Sequence, residues 1–335
     1  MLLLLSLLTP AAPPRVAIIG GGIGAASTAY HLSHRLPGAE MVVFERDERL
    51  GGRLQHLWQN GVKLELGGTF FNRVLNPHIA ELIEVVGAKT APMLPPLMAQ
   101  DFYIVNGTGT ILRLRKSHEL ADLAAITGRF AAPFADTLVA SREFSKALKK
   151  TLARIHAGTT FGSLSTLLGW DGLARFSGVN ASTLLHDRLV SNEFLEEVIS
   201  AITNVIYTQG VGTAAFIALS CVSMFSEYSF PASSVEGNDL LVRDLLLKTN
   251  VSARLGANVT SVARAAHGTG FELSYTHQAT PSAERFDAVV LAAPLEVASL
   301  AFPGLSLDPT TALRRKYVGV HVTCISAGAI NGTAR

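Results

Sequence analysis

Residues 15–54 contain the stretch that most constrains how this chain can fold. They read RVAIIGGGIGAASTAYHLSHRLPGAEMVVFERDERLGGRL. The apolar, β-branched run at 16–19 is typical of a strand buried on both faces. Small and apolar residues then recur at helical spacing over 26–36, and 41–44 is a second buried strand. Strand, helix and strand in this order predict a βαβ unit with a parallel sheet.

Glycines lie where the first strand turns into the helix. The pattern is Gly20-x-Gly22-x-x-Ala25, and the second strand ends on Glu45. Gly20 allows the tight turn, Gly22 lets the backbone approach a pyrophosphate, and Ala25 is small enough for close packing of helix and strand. The N–H groups at the helix start then face the phosphates, and Glu45 can accept hydrogen bonds from an adenosine ribose. A glycine-rich turn alone would be weak evidence, but all five parts agree and predict a dinucleotide site.

The residues that follow the acid indicate which dinucleotide is bound. The sequence RLGGR, which contains Gly52 and Arg53, begins four residues after it. This resembles the glycine doublet of flavoproteins in the amine-oxidase superfamily, where the loop packs over the FAD diphosphate. The sequence LELGGT, which contains Gly67 and Gly68, resembles the next motif of that superfamily, whose backbone approaches the flavin ring. The resemblance predicts FAD rather than NAD as the cofactor.

Composition sets wider limits on the chain. Its 335 residues can form two domains, and 48% hydrophobic against 16% charged residues indicates a globular protein with a large core. The net charge is only +2, and no Lys/Arg cluster is dense enough to indicate nucleic-acid binding. Cys221 and Cys324 lie in apolar segments without metal-ligand spacing, which favours buried free thiols, with a disulfide as the alternative. No metal site is predicted.

The first 14 residues precede the βαβ unit and differ from it. Leucine dominates 1–8, and the segment TPAAPP follows. The apolar run is too short to cross a membrane but matches the hydrophobic region of a secretory signal peptide. We therefore predict a signal peptide or leader, with a frayed tail as the alternative. Five N-x-Ser/Thr sequons support secretion: Asn106, Asn180, Asn250, Asn258 and Asn331. Asn258 conflicts with its setting, because it opens a strand predicted to be buried.

The remaining pattern predicts a domain interrupted by an insertion. Apolar residues at three- and four-residue spacing indicate that 117–209 is mostly helical, and strands are predicted at 258–262, 270–276, 286–291 and 317–326. The predicted fold class is α/β, a Rossmann-like FAD-binding domain with an inserted, mostly helical substrate domain. The predicted boundaries are 1–14 for the leader, 15–105 and 233–300 for the FAD-binding domain, 106–232 for the substrate or cap domain, and 301–335 for the start of a return to the substrate domain.

Within that superfamily the chain resembles the prenylcysteine oxidases. The matching segments are Phe44-Glu45-Arg46, Gly51-Gly52-Arg53-Leu54, Leu66-Gly67-Gly68, Asn76-Pro77-His78, Tyr207-x-Gln209, Ala215-Phe216, Leu219-Ser220-Cys221 and Ser234-Val235-Glu236-Gly237. The early motifs would fit any amine-oxidase relative, whereas 207–247 is more specific to the family. The family usually has a second glycine where this chain has Asn238, and an arginine near Asn204. Its members also continue further, so we expect this chain to be a fragment, a mis-predicted gene product or a truncated isoform.

This resemblance implies an FAD-dependent oxidase that cleaves the thioether of farnesyl- or geranylgeranyl-cysteine. The products would be free cysteine, a prenyl aldehyde and hydrogen peroxide, formed during the breakdown of prenylated proteins in a lysosome or vacuole. The expected partners are the small-molecule prenylcysteine and oxygen, with peripheral membrane contact in addition. The sequence does not indicate an oligomeric state. Alternatives are a polyamine oxidase or carotenoid desaturase-like enzyme, which would share every motif before Gly68, or a non-catalytic remnant.

The resemblance and the motifs together give a set of predicted site residues. The cofactor-binding residues are Gly20, Gly22, Ala25, Glu45, Arg46, Gly52, Arg53, Gly67, Gly68 and Val259. Val259 is included because related flavoproteins place there a valine whose backbone meets the adenine. Tyr207 and Gln209 are weak catalytic candidates, since core packing and helix capping explain them equally well. His56 and His78 are better explained as surface or hydrogen-bonded side chains. Candidates for lining a prenyl tunnel, with core packing as the alternative, are Phe70, Phe71, Phe216 and Phe225.

Overall fold

The computed structural model describes residues 2–5, 12–73, 75–92, 102–106, 109–114, 120–226, 232–249, 251–266, 268–305, 317 and 319–323. The chain divides into two compact units. The first comprises Met1–Phe70, His78–Ala91 and Ser233–Cys324. The second comprises Phe71–Pro77, Pro92–Ala232 and Ile325–Arg335.

Strands and helices of the described residues are numbered in chain order. The strands are β1 Leu2–Leu5, β2 Arg15–Ile19, β3 Glu40–Phe44, β4 His56–Gln59, β5 Val62–Glu65, β6 Thr90–Pro92, β7 Phe102–Asn106, β8 Gly109–Leu114, β9 Ala232–Ser234, β10 Ser252–Arg254, β11 Ala257–Arg264, β12 Phe271–His277, β13 Thr280–Phe286 and β14 Ala288–Leu291. The helices are α1 Ile23–Arg35, α2 Pro77–Val86, α3 Leu120–His156, α4 Leu164–Gly169, α5 Ala174–Ser177, α6 Ala181–His186, α7 Asn192–Phe194, α8 Ser200–Tyr207, α9 Ala215–Ser226, α10 Leu240–Lys248 and α11 Leu295–Ala298. A 3₁₀ turn lies at Trp170–Gly172 and a π-helical turn at Leu195–Ile199.

A five-stranded sheet forms the centre of the first unit, in the order β1-β14-β2-β3-β10. β14, β2, β3 and β10 are parallel, and β1 pairs antiparallel with β14 at one edge. Parallel strands end at the same edge, so the residues that follow β2, β3 and β14 lie side by side. Accordingly, Gly20 N donates to Phe44 O at 2.8 Å, and Ala292 N donates to Ile19 O at 2.9 Å. Ligands bind at this edge in open α/β sheets.

The central strands β14, β2 and β3 are mostly apolar because they are covered on both faces. Their apolar residues are almost fully buried, and Phe44 is 1% exposed. One face packs against the antiparallel sheet β11-β12-β13, where Phe44 makes edge-on ring contacts with Tyr275 and Phe286. Burial of one such aromatic side chain stabilises the fold by about 1.5–3 kcal/mol. Helices α1 and α10 pack against each other beside the sheet.

The second unit is mostly helical around a long helix. α3 contains Pro133, which cannot donate a backbone hydrogen bond, and the helix is kinked at Phe130, whose φ is −132°. Phe144 lies at the centre of the core of this unit, with edge-on contacts to Phe176 and Phe216. Buried hydroxyl groups join α3 to α9, because Ser223 Oγ lies 2.9 Å from the Oγ atoms of two serines of α3. No helix among the described residues is both long and apolar enough to span a bilayer.

The structure differs from the sequence-based expectation at several places. The chain leaves the first unit after Ala91 rather than at 105, so the hairpin β7-β8 lies wholly within the second unit. The hairpin β4-β5 and the strand β13 were not predicted. β4 and β13 show no regular alternation of apolar and polar residues, whereas β5 alternates but has its polar side chains Lys63 and Glu65 buried. In the range 317–326, the described residues form no strand. Asn258 is exposed, because its side chain and those of its buried neighbours in β11 point to opposite faces.

Candidate cofactor site

A cavity of about 670 Å³ opens at the carboxyl edge of the parallel sheet, wholly within the first unit. That volume lies within the usual range of small-molecule sites. The residues that line it are Ile19, Gly20, Gly21, Gly22, Ile23, Gly24, Phe44, Glu45, Arg46, Asp47, Gly51, Gly52, Arg53, Leu54, Gly68, Ala257, Asn258, Val259, Ala292, Ala293, Pro294, Val297, Ala298, Leu300 and Tyr317. The cavity therefore unites segments that are far apart in the sequence.

The turn from β2 into α1 forms the floor of this cavity. Gly20 has φ +106°, and a Cβ atom there would lie 3.0 Å from the backbone nitrogen of Ala293. Only glycine fits that conformation without strain. Gly22 caps α1 without a side-chain hydrogen bond, and no acidic residue lies in the first turn of the helix. The positive end of the helix dipole therefore faces the cavity with no acidic residue in the helix's own first turn, which suits a pyrophosphate.

Glu45 lies at the tip of β3 and is held by two backbone amides. The side-chain oxygen Oε2 accepts a hydrogen bond from Gly21 N at 2.5 Å, and Oε1 accepts one from Asp47 N at 2.9 Å. Each carboxylate oxygen keeps a further acceptor site for a ribose hydroxyl. A Cβ atom on Gly21 would lie 2.9 Å from three atoms of Glu45. The Gly-x-Gly pattern assigns no role to Gly21, yet its missing side chain makes room for the acid.

The glycine doublet closes over the first glycine turn. Gly51 has φ +116° and pairs with Gly22 in a parallel bridge, and Gly51 N donates to Gly21 O at 2.8 Å. A Cβ atom on Gly52 would lie 3.3 Å from Gly22 Cα, so the two loops touch backbone to backbone. Arg49 supports the doublet from outside, since its guanidinium donates to Gly52 O at 3.0 Å. The glycines of both loops line the cavity without side chains, which leaves the cavity beside them open to a diphosphate group.

The loop that contains Gly67 and Gly68 forms another wall of the cavity. Gly68 lines the cavity and its N–H donates to Arg53 O at 3.1 Å. Gly67 lies behind it, where a Cβ atom would be only 1.9 Å from Arg53 O. The guanidinium of Arg53 lies 5.8 Å from the centre of the Tyr317 ring, a cation–π contact at the cavity wall. Tyr317 is a lining residue that no motif had indicated.

At the end of the cavity beyond Glu45, a smaller pocket of about 350 Å³ is lined by Arg46, Asp47, Asn258, Val259, Thr260, Ala298 and Ser299. Most of these residues also line the larger cavity, so the two are continuous. The pairing of β11 with β12 shifts register between Val259 and Ser261, a bulge of the kind found beside binding sites. Arg46 is exposed there and donates to Val297 O at 3.4 Å. The position beyond the ribose-binding acid suits an adenine.

The structure brings most of the predicted cofactor residues together. All of them line the larger cavity except Ala25 and Gly67. Ala25 is fully buried in α1, and Gly67 packs against the main chain of Arg53. The glycine cradle, the acid at the ribose position and the elongated cavity fit FAD.

Other predicted residues lie away from this cavity. Tyr207, 48% exposed, and Gln209, also exposed, belong to the second unit, so their catalytic role stays a prediction. His56 is hydrogen-bonded, with Nδ1 2.5 Å from Asp239 Oδ1, and His78 is exposed.

The remaining predictions concern aromatic side chains and thiols. Phe216 packs against the core of the second unit, and Phe71 is buried. The side chain of Phe225 lies outside the described residues, as does Cys324, and the prenyl tunnel stays a prediction. Cys221 is a buried free thiol. Burial raises its pKa to about 12, so it carries no thiolate near neutral pH.

Comparison with known proteins agrees with this site. The family model described as flavin containing amine oxidoreductase matches residues 27–325. Prenylcysteine oxidase 1 of Mus musculus is 25% identical over 336 residues, covering 97% of this chain and 65% of that protein. The Homo sapiens protein of the same name is 25% identical over 332 residues, covering 96% and 64%. The chain thus spans just under two thirds of the length of these relatives.

A solved structure, wild-type putrescine oxidase bound to putrescine, has the same fold. Its TM-score is 0.57 at 16% sequence identity, and the match covers 86% of this chain and 60% of that one. The prediction of an α/β fold with a Rossmann-like FAD-binding domain is confirmed, as are the resemblance to prenylcysteine oxidases and the assignment of FAD. The chain belongs to the flavin-containing amine oxidoreductase family, is similar to the prenylcysteine oxidases, and has FAD as its cofactor.

Proposed function

We propose that the protein is an FAD-dependent oxidase that cleaves the thioether of farnesyl- or geranylgeranyl-cysteine. The observation that carries this proposal is the 25% identity to prenylcysteine oxidase 1 over 97% of this chain. The cavity supports the redox part, because its residues fit FAD. In the overall reaction, the prenylcysteine, oxygen and water give free cysteine, a prenyl aldehyde and hydrogen peroxide. Two electrons and two protons leave the substrate and reduce oxygen to peroxide, so the reaction balances.

The residues of this chain bind and orient the cofactor. Glu45 would hold the ribose, the N-terminus of α1 with Gly20 and Gly22 would hold the diphosphate, and Gly68 would form part of the wall near the flavin ring. The chemistry that bound FAD supplies is acceptance of a hydride from the carbon next to sulfur and delivery of the electrons to oxygen. The protein then has to orient that carbon and exclude competing water. We assign no acid–base pair of side chains, since the hydride step does not require one.

We further propose that the protein reaches a lysosome or vacuole through the secretory pathway and contacts membranes peripherally. The leucine-rich leader at 1–14 and the sequons motivate this proposal. Asn180 is exposed and in an extended conformation, with no capping hydrogen bond from its side chain, as an N-glycan acceptor would need to be. Expression in secreting cells, with mass spectrometry of the mature N-terminus and of the Asn180 peptide, tests the proposal. An intact leader and an unmodified Asn180 would contradict it.

Flavin absorbance under anaerobic conditions tests the proposed reaction. Purified protein loaded with FAD is mixed with farnesylcysteine, and the visible flavin bands should bleach. Admission of air should restore the bands and produce farnesal and hydrogen peroxide in equal amounts. Deuterium on the carbon next to sulfur should slow the bleaching if cleavage of that C–H bond limits it.

The controls separate substrate from cofactor. Glu45→Ala should bind FAD poorly and show no bleaching, which ties the signal to the described cavity. Spermine is the matched alternative substrate, because a polyamine oxidase would share the early motifs and the fold. Bleaching by spermine and not by farnesylcysteine would refute the proposed substrate while leaving FAD as the cofactor. An FAD-loaded protein that neither compound bleaches would favour a non-catalytic remnant.

A further inference from the structure

The side chain of Asn238, just before α10, hydrogen-bonds to three main-chain groups. The amide nitrogen donates to Gly68 O at 2.8 Å and to Thr69 O at 2.9 Å. The amide oxygen accepts from Ser234 N at 2.8 Å. The residue is only 9% exposed. A buried amide that hydrogen-bonds to three main-chain groups restrains those groups closely, and two of them belong to the cavity-wall loop at 67–69.

The partners determine which way this amide points. The carbonyl oxygens of Gly68 and Thr69 can only accept, and the N–H of Ser234 can only donate. The amide nitrogen therefore faces the loop, and the oxygen faces the segment before α10. No other common side chain of this size has an NH2 group with two donors and a carbonyl acceptor on the same carbon. Aspartate, which has the same shape, would place a carboxylate oxygen against two carbonyl oxygens.

A buried ion pair extends the network to strand β5. Asn238 N donates to Glu65 Oε1 at 3.1 Å, and Lys63 Nζ lies 2.8 Å from the same oxygen. Only 3% of the Glu65 side chain and 15% of the Lys63 side chain are exposed. Lys63 also donates to Ser234 O. The network thus anchors the start of the 67–69 loop as well as its middle, with residue 238 as the shared member.

We propose that Asn238 is a positioning residue that holds the 67–69 loop in the conformation needed to bind FAD. Gly68 lines the cofactor cavity, and the loop is the one expected near the flavin ring. Residue 238 would therefore influence both FAD affinity and the environment of the flavin, although it does not itself line the cavity. The inference rests on FAD binding alone, and not on the proposed thioether substrate.

Three variants of the full chain separate positioning from general stability. Asn238→Asp keeps the size and reverses the hydrogen bonding toward the loop. Asn238→Gly removes the side chain altogether, and it is the variant to measure if Asn238→Asp does not fold. Leu245→Ala is the control, because Leu245 is fully buried about two turns further along α10. That substitution leaves a cavity in the core and lowers stability. Each apoprotein is titrated with FAD, and the visible spectrum of the loaded protein is recorded.

We expect FAD affinity to fall about 10- to 100-fold in Asn238→Asp, corresponding to two lost hydrogen bonds and the added repulsion. Asn238→Gly should lose about 3- to 10-fold, with a shifted flavin spectrum in both variants. Leu245→Ala should melt at a lower temperature and yet keep the parent affinity and spectrum. Parent affinity and spectrum in both Asn238 variants would overturn the proposal. So would a loss of FAD affinity in Leu245→Ala as large as that in Asn238→Asp.

The pH dependence gives a second, independent measure. A buried carboxyl that faces two carbonyl oxygens has a raised pKa, and once protonated it can donate one hydrogen bond. The ratio of the Asn238→Asp affinity to the parent affinity should therefore recover as the pH falls from about 8 to about 5. Lys63, Glu65, His56 and Asp239 also lie around this position, but they are present in the parent and cancel in the ratio. A ratio that stays low throughout would indicate structural damage and overturn the proposal.

Discussion

Gly67 and Gly68 are adjacent glycines in one motif, and the structure predicts that they tolerate alanine very differently. A Cβ atom on Gly67 would lie 1.9 Å from the carbonyl oxygen of Arg53, whereas the Cβ atoms of real side chains essentially never lie within 3.0 Å of such a neighbour. A Cβ atom on Gly68 would lie 2.6 Å from Leu54 Cδ2. The first obstacle is main chain and cannot rotate away. The second is the end of a flexible side chain, so a change of rotamer relieves it.

The cost of Gly67→Ala follows from this geometry. Main-chain atoms must separate by at least about 1.1 Å, the difference between 3.0 and 1.9 Å. Such a shift breaks the hydrogen bond from Gly68 N to Arg53 O at 3.1 Å and strains the one from Leu66 N to Gln55 O at 2.8 Å. Two hydrogen bonds contribute about 1–3 kcal/mol. If the loss falls on FAD binding, affinity decreases by about 5- to 150-fold. Gly68→Ala should lower the free energy of unfolding of the apoprotein by less than Gly67→Ala does, because the leucine can change rotamer.

Titration of the two apoproteins with FAD, followed by quenching of flavin fluorescence, compares the variants directly. Denaturant titration of both apoproteins, followed by circular dichroism, measures the strain without FAD. Gly68→Ala is the matched control for that stability measurement because it adds the same methyl group one residue away, but it is not a control for FAD affinity, since Gly68 lines the cavity. The geometric reasoning is refuted if Gly67→Ala binds FAD as tightly as the parent. It is equally refuted if Gly68→Ala lowers the free energy of unfolding of the apoprotein more than Gly67→Ala does. The movable side chain of Leu54 would then be a greater obstacle than the fixed carbonyl of Arg53.

Three further predictions follow from the electrostatics and burial of the first and second units. Glu45→Gln should weaken FAD binding by about 1.5–3 kcal/mol, because it removes the charge from the acceptor at the ribose position; an unchanged dissociation constant would count against that role. The hydrogen bond from Arg254 holds the pKa of Glu284 below its ordinary range. Its contribution to the free energy of unfolding is therefore present above the unfolded pKa and lost as pH falls through the folded one. Glu284→Gln should flatten the acid limb of stability below about pH 5, measured by denaturant titration at several pH values, and an identical limb would contradict this. In a Cys324→Ser background, the buried Cys221 should react with a thiol reagent only after unfolding, and rapid labelling of the native protein would show the burial to be wrong.

The βαβ unit could be predicted because the information that specifies it is local. Buried parallel strands need continuous apolar runs, and those runs mark β2 and β3 to within one residue of the observed bounds. The helix begins at Ile23, three residues before the predicted start. Gly22 and Gly24 have low helix propensity, so the pattern became helical only after them. Packing against the sheet evidently compensates for that propensity.

The β4-β5 hairpin shows what local patterns miss. Its turn, Asn60-Gly61, has positive φ at both residues, as a two-residue hairpin turn requires, and that signal was present in the sequence. The flanking strands did not support that signal, because their burial is the opposite of what their residue types suggest. The apolar Trp58 is exposed, whereas the charged side chains of Lys63 and Glu65 are buried. Alternation of apolar and polar residues indicates a hairpin only when the apolar side is buried. A buried ion pair reverses that pattern.

The sequence predicted which glycines form the cofactor site, but not which neighbouring atoms require a glycine at each position. The motif does not distinguish Gly67 from Gly68. In the fold, a Cβ atom on Gly67 would meet the fixed carbonyl of Arg53, 14 residues earlier, whereas a Cβ atom on Gly68 would meet the movable side chain of Leu54. At Asn238 the same pattern registers only a lost family glycine. The contacts that give this residue its importance join it to a loop 170 residues earlier. Contacts over such distances come from packing of the whole unit, so no local sequence pattern can predict them.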